Sequence, residues 1–214
     1  MESGTAQERR LSIAAADGSG VLRELPCPAA YCEPTDWSPD GRHVIVNTRL
    51  TANPRQPGDV WRVSLEAGGS AEAILGGPFP EYDARISPDG RWLAYVSEET
   101  GRPEVSVRAM SGRPRRVVVS SGGGSQPVWR RDGNELLYVD REGRLRGRSV
   151  GSQLRGELTF GVAVALNVPL IGAGHWGTQY EVSPDGQHVY FIDRTPALRP
   201  SEINVVMGWQ ALLR

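Results

Sequence analysis

Four short apolar runs recur along this 214-residue chain: Val44-Ile45-Val46-Asn47, Leu93-Ala94-Tyr95-Val96, Leu136-Leu137-Tyr138-Val139 and Val189-Tyr190-Phe191-Ile192. Each is rich in β-branched and aromatic residues, the pattern of a strand covered on both faces. A second class of segment alternates apolar with polar positions: Val60-Trp61-Arg62-Val63, Glu104-Val105-Ser106-Val107-Arg108 and, more weakly, Arg144-Leu145-Arg146-Gly147-Arg148. A period of two belongs to a strand with one solvated face. Shorter strands are predicted at 71–75 and 115–119, after the glycine-containing turns 67–70 and 111–114. No segment carries a helical period, except the few residues after Trp209.

Each apolar run starts three residues after the glycine of a recurring turn. The copies are Ser38-Pro39-Asp40-Gly41, Ser87-Pro88-Asp89-Gly90, Arg130-Arg131-Asp132-Gly133 and Ser183-Pro184-Asp185-Gly186, with aspartates 49, 43 and 53 residues apart. Proline presets φ, the aspartate carboxylate accepts backbone N–H groups, and glycine tolerates positive φ. Pro39, Asp40, Gly41, Pro88, Asp89, Gly90, Asp132, Gly133, Pro184, Asp185 and Gly186 are therefore read as structural turn positions. The strand before each turn ends in Trp37, Ile86, Trp129 or Val182, an apolar anchor beneath it. A repeat of this length is that of a propeller, in which sheets pack face to face around a ring.

Counting strands gives three four-stranded blades near 32–75, 82–119 and 126–166. Residues 11–25 read as the last two strands of an earlier blade, and 178–209 as three strands of another. Together these would place five strands where one blade has four. A four-bladed closure is conceivable, and a fragment of a larger ring accommodates the extra strand better. The expected fold class is all-β, a β-propeller forming one domain over 11–214 behind a flexible segment 1–10.

Composition fits a turn-dense β protein, with 26 Gly and 16 Pro in the chain. No apolar stretch is long enough for a membrane span. The opening MESGTAQERR lacks the apolar centre of a secretory signal. The compartment stays open: cytoplasmic, or extracytoplasmic if these residues belong to a longer sensor protein. All 24 basic residues are Arg, interleaved with 25 acidic ones, which leaves no basic footprint for nucleic acid. Cys27 and Cys32 admit two readings, a short-loop disulfide in an oxidising compartment or two packed thiols. A zinc site needs about four ligands, and the three histidines lie far from both cysteines.

The repeat resembles that of the TolB-like, WD-repeat-like β-propeller family of bacteria, over roughly residues 30–212. Residues 99–108, Glu-Thr-Gly-Arg-Pro-Glu-Val-Ser-Val-Arg, look like the family's link between second and third strands. Residues 121–138 are similar to the blade opening of propellers fused to bacterial serine/threonine protein kinases, and 204–213 to the ending of those propellers. The resemblance implies a non-catalytic sensor or interaction module at the C-terminal end of a signalling protein. The chain itself carries no glycine-rich phosphate loop, Val-Ala-Ile-Lys, His-Arg-Asp or Asp-Phe-Gly element. The family supplies no catalytic residues to carry over.

His43 and His188 share their repeat position with Trp92 and Glu135, which reads as a rim position rather than a metal ligand. Gly122-Gly123-Gly124-Ser125 lacks the second glycine of a nucleophile elbow and precedes a strand. Its amides could approach a phosphate, but a connecting loop is the plainer reading. The loop 172–177, holding His175 and Trp176, joins an outer strand to the next inner strand. An exposed tryptophan there would anchor a peptide or sugar. The loop 51–59, with Asn53, Arg55 and Gln56, is placed on the same face. The expected partner is a protein or peptide, with a small ligand as the second class. No cofactor, metal, nucleic acid or membrane span is expected. Two alternatives remain: the propeller of a prolyl-oligopeptidase-type serine peptidase, and a periplasmic TolB-type envelope protein.

Overall fold

The computed structural model describes residues 11–18, 20, 22–49, 58–112, 115–152, 157–166, 168 and 178–191. All regular structure among them is β. A hairpin of β1 (Ser12–Ile13) and β2 (Arg23–Glu24) comes first. Blade one holds β3 (Tyr31–Trp37), β4 (His43–Arg49), β5 (Val60–Ser64) and β6 (Ala71–Leu75). Blade two holds β7 (Glu81–Ile86), β8 (Trp92–Ser97), β9 (Glu104–Ala109) and β10 (Arg116–Val118). Blade three holds β11 (Gly124–Trp129), β12 (Glu135–Asp140), β13 (Leu145–Ser152) and β14 (Leu158–Phe160), with β15 (Val164–Ala165) also paired to β13. The hairpin β16 (Tyr180–Val182) and β17 (Val189–Phe191) follows. Strands within each blade are antiparallel and adjacent in chain order.

The apolar runs are the second strands, and their alternation divides the core between neighbours. Residues four and six after the turn glycine face the next blade; residues three and five face the preceding one. Ala94 and Val96 thus share a cluster with Trp129, Leu136 and Tyr138 of blade three. Ile45 packs with Ala84, Ile86, Leu93 and Tyr95 of blade two. Leu137 and Val139 pack with Tyr180, Val182, Val189 and Phe191. Burial on both faces explains why β4, β8 and β12 carry no polar alternation, whereas in β17 Tyr190 is exposed.

The four turns share one geometry. The glycine N–H donates to the carbonyl three residues back at 2.8–2.9 Å, and φ is +70°, +73°, +73° and +70° at Gly41, Gly90, Gly133 and Gly186. The aspartate Oδ1 accepts the N–H of Arg42, Arg91, Asn134 or Gln187 at 3.0 Å. In three copies the serine hydroxyl donates to the same oxygen. Where Arg130 replaces serine, its guanidinium pairs with Asp132 at 3.3 Å.

Polar staples tie blade to blade. Asp36 Oδ2 accepts Ile86 N at 2.7 Å, and Trp129 Nε1 donates to Arg85 O at 3.1 Å. Arg108 and Arg148 hold the same place on successive third strands, opposite Leu93 and Leu136. Arg108 donates to Ile74 O at 3.0 Å, on the fourth strand of the preceding blade. Arg148 donates to Val119 O, just after β10 of the preceding blade, and to Gly161 O at 2.6 Å and Phe160 O at 3.3 Å. A guanidinium offers several donors in a rigid fork, so one side chain can serve several carbonyls. Cys27 and Cys32 form a disulfide that ties the β1–β2 hairpin to β3; of the two readings, the structure has the disulfide.

Candidate functional site

The first strand of each blade carries a bulge near the ring axis, between Pro34 and Asp36, Tyr82 and Arg85, and Ser125 and Val128. At equivalent positions of blades two and three the bulge holds a non-glycine residue at positive φ, Asp83 at 52° and Gln126 at 56°. Both are buried. Such a conformation is uncommon for residues with a Cβ and needs support from its surroundings. The support around Gln126 comes from the following hairpin. Its Oε1 accepts Gln179 N at 2.8 Å and its backbone carbonyl accepts the Tyr180 hydroxyl at 2.8 Å. Burial pushes the Tyr180 phenol well above its ordinary range, so it stays a donor.

Blades one and two and the start of the β16–β17 hairpin meet at a small axial cavity of about 70 Å³, lined by Glu33, Pro34, Thr35, Asn47, Asp83, Arg85 and Thr178. Arg85 reaches across it to donate to Thr178 Oγ1 at 2.8 Å. Asn47 Oδ1 is buried without a hydrogen-bond partner. Burial raises the Asp36 carboxyl, against the backbone N–H groups of Trp37 and Ile86 and the Arg85 charge that lower it.

His175, Trp176, Asn53 and Arg55 lie outside the described residues. Two described residues of the cavity lining flank those segments in the chain: Asn47 lies in β4, before 50–57, and Thr178 follows 171–177. The antiparallel order puts the end of β4 and the start of β16 on the face opposite the Pro-Asp-Gly turns. His43 and His188 sit beside the turns, on that other face. Among the described residues the serine hydroxyls that meet histidines, Ser38 and Ser183, bond only the backbone of His43 and His188 and not an imidazole, and no three His, Cys, Asp or Glu side chains converge as metal ligands. In the glycine run, Gly123 N donates to Glu104 Oε1 at 3.0 Å and Gly124 N to Pro103 O at 2.9 Å. Those amides are spent inside the protein, and the run serves as a connecting loop. The sequence reading does not find the bulges; the signal available for them is a polar residue, Asp83, Gln126 or Gln179, four places before the first residue of the last three turns, where the first turn has Pro34.

No family model matches the chain. An uncharacterized protein of Agrobacterium fabrum is 28% identical over 133 residues, 56% of this chain and 44% of the relative. The Tol-Pal system protein TolB of Alcanivorax borkumensis is 34% identical over 102 residues, 46% of this chain and 23% of the relative. Tricorn protease homolog 1 of Streptomyces coelicolor is 36% identical over 80 residues, 36% of this chain and 7% of the relative. Among solved structures, TolB from Acinetobacter baumannii superposes with a TM-score of 0.60 at 17% identity, over 87% of this chain and 43% of that one. The fold is a TolB-like β-propeller. A Mycobacterium tuberculosis puromycin-hydrolyzing peptidase shares the fold at a TM-score of 0.54 and 23% identity, over 83% of this chain and 34% of that one. The chain spans less than half the length of the curated relatives it matches.

Proposed function

We propose that this TolB-like propeller is a non-catalytic interaction module that presents the loops 50–57 and 171–177 to a protein or peptide. The observation that carries the reading is the convergence of both loop roots, Asn47 and Thr178, on one axial cavity. Bulged first strands line that cavity, and binding residues are commonly carried on connections held by such a scaffold. Trp176 supplies an aromatic anchor, and Arg55 and Asn53 supply polar contacts. The Cys27–Cys32 disulfide supports an oxidising, extracytoplasmic setting. In the finer reading the module is the sensor end of a kinase-linked signalling protein, which the resemblance of residues 121–138 and 204–213 supports.

The test is capture of partners from an envelope extract on the immobilised chain, compared with Trp176→Ala and Arg55→Ala. A partner retained by the parent and lost from both variants, with the fold unchanged by circular dichroism, supports the reading. Retention of the same proteins by all three refutes it.

The match to a protease homolog favours a second reading, the propeller region of a prolyl-oligopeptidase-type serine peptidase. That reading requires a Gly-x-Ser-x-Gly element in the native product outside these residues. Mass and sequence of the product from its host decide between the two.

A further inference from the structure

On the turn face, the seam between blades two and three opens into a pocket of about 440 Å³. Two tryptophans line it, the half-buried Trp92 at the start of β8 and the buried Trp129 at the end of β11. The turns of both blades contribute Asp89 and Asp132, and they lie close together: a Cβ on Gly133 would sit 4.0 Å from Pro88 Cδ. The β13–β14 hairpin contributes Val150 and Leu158, which pack with Trp92 on the core between these blades.

The repeat alone does not make this pocket. Leu65, Met110 and Val150 hold one place in their blades, each donating its N–H to the residue before the second strand, Arg42, Arg91 or Asn134. β5 and β9 end one residue before that place, whereas β13 runs two residues past it, to Ser152, and is still paired there with Leu158. The longer hairpin therefore adds a wall that blades one and two lack. At the seam of blades one and two, His43 and Ile86 stand where this seam has Trp92 and Trp129. Both the wall and the tryptophan pair are particular to this seam.

We propose that this pocket binds a neutral saccharide, one pyranose ring lying against Trp92. A pyranose has an apolar C–H face and an edge of hydroxyls. The negative face of an indole suits the C–H face. The edge meets Asp89, Arg91 and Asn134, all exposed and all in the pocket lining. Asp89 is fixed in its turn, where Oδ1 accepts the Ser87 hydroxyl at 2.5 Å and Arg91 N at 3.0 Å. A hydroxyl both donates and accepts, so neighbouring hydroxyls can answer a carboxylate, a guanidinium and a carboxamide together. Two carboxylates, Asp89 and Asp132, against the one guanidinium of Arg91 disfavour a phosphate or carboxylate ligand. A proline-rich peptide also suits an aromatic groove, but its prolines offer carbonyl acceptors and no backbone donors, which leaves both carboxylates unanswered. The volume lies within the range of about 300–1,000 Å³ usual for small-molecule sites.

The experiment titrates the full chain with the methyl glycosides of glucose, galactose, mannose and N-acetylglucosamine, each to about 50 mM. The readout is the set of tryptophan indole N–H signals in NMR, with Trp92 and Trp129 assigned from Trp92→Phe and Trp129→Phe. At least one glycoside should shift the Trp92 signal saturably. Arg91→Ala, at an exposed position, should weaken that binding by about threefold or more, and Trp92→Ala by about tenfold or more. Trp176→Ala, on the loop proposed for the protein partner, should leave it unchanged. No saturable shift at Trp92 with any of the four overturns the proposal, and so does an affinity that Arg91→Ala leaves unaltered. Saturation at Trp92 by a polyproline peptide and by no glycoside also overturns it, and makes a peptide the ligand. If Trp92→Ala does not fold, Asn134→Ala takes its place, with a loss of about threefold expected and an unchanged affinity rejecting the site.

Discussion

Arg148 is the clearest test of how the blades are held together. Its guanidinium serves three carbonyls, Val119 O of blade two and Gly161 O and Phe160 O of blade three, and lies 5.9 Å from the centre of the Phe160 ring. Hydrogen bonds to a charged group contribute about 1.5–3 kcal/mol net, and an acceptor left buried without a donor costs about 1–3 kcal/mol. Val119 is fully buried, so water does not readily replace the lost donor. Arg148→Ala should therefore destabilise the fold by about 2–4 kcal/mol. Arg148→Lys should recover less than half of this, because an ammonium is a point donor that cannot span the three acceptors. The control is Arg144→Ala, which removes an exposed pair with Glu142 at 3.3 Å and should change stability by less than about 0.5 kcal/mol. Urea unfolding followed by far-ultraviolet circular dichroism measures all three. With a slope of about 2–3 kcal/mol per molar for a chain of this size, the Ala variant should shift the midpoint by about 1 M. A shift no larger than that of Arg144→Ala, or full rescue by lysine, would refute the reasoning.

Leu136→Ala empties a fully buried site in the blade two–three core and should cost about 2–5 kcal/mol by the same urea assay. Replacing both Cys27 and Cys32 with serine opens a loop with a sequence separation of 5 and should cost about 2 kcal/mol; a parent insensitive to reductant in thermal melts would contradict this. Glu104 sets a pH dependence. Burial alone would raise its carboxyl, but Ser120 Oγ, Arg102 and Gly123 N hold it below the ordinary carboxylate range. Its folded value is depressed, so its contribution is present above about pH 4.5 and is lost as pH falls through the folded value. Glu104→Gln should accordingly flatten the acid limb of stability against pH, read from urea midpoints between about pH 2.5 and 6. Gly186→Ala places a side chain at φ +70° against the Arg130 guanidinium and should lower the melting temperature, whereas Gly77→Ala, in open space at ordinary φ, should not.

Blade order and strand boundaries were legible because two independent periods agree, the two-residue strand period and the repeat of roughly 40–50 residues. The fourth strands, short and weakly patterned, were still found at 71–75 and within a residue at 116–118. The cysteine pairing was not decidable, since a short spacing suits a disulfide and packed thiols equally; the approach of β2 to β3 determines it. The axial site was less legible still. A bulge at Asp83 or Gln126 leaves no local signature beyond a polar residue in an apolar strand, and its support at Gln126 comes from Gln179 and Tyr180, more than fifty residues away.

The anchors beneath the turns show where the repeat misleads. Trp37, Ile86 and Trp129 hold one position and predict one environment, yet only the last two are covered. An anchor's burial is not a property of its own blade; it depends on the preceding blade's second strand. For Ile86 and Trp129 that strand carries Ile45 or Ala94; for Trp37 the described residues supply only the outer pair, β1 and β2. The disulfide lies at this same junction, tying the half blade to β3. A two-stranded hairpin is marginal by itself, and the covalent tie together with Leu11 and Leu25 on Val44 and Val46 keeps it seated. Reduction should therefore act on the hairpin before the blades. Exchange at Leu25, whose N–H donates to Leu11 O at 2.8 Å, should quicken in reductant while Leu93 and Leu136 remain protected, and simultaneous loss at all three would show that the hairpin is an integral part of the core.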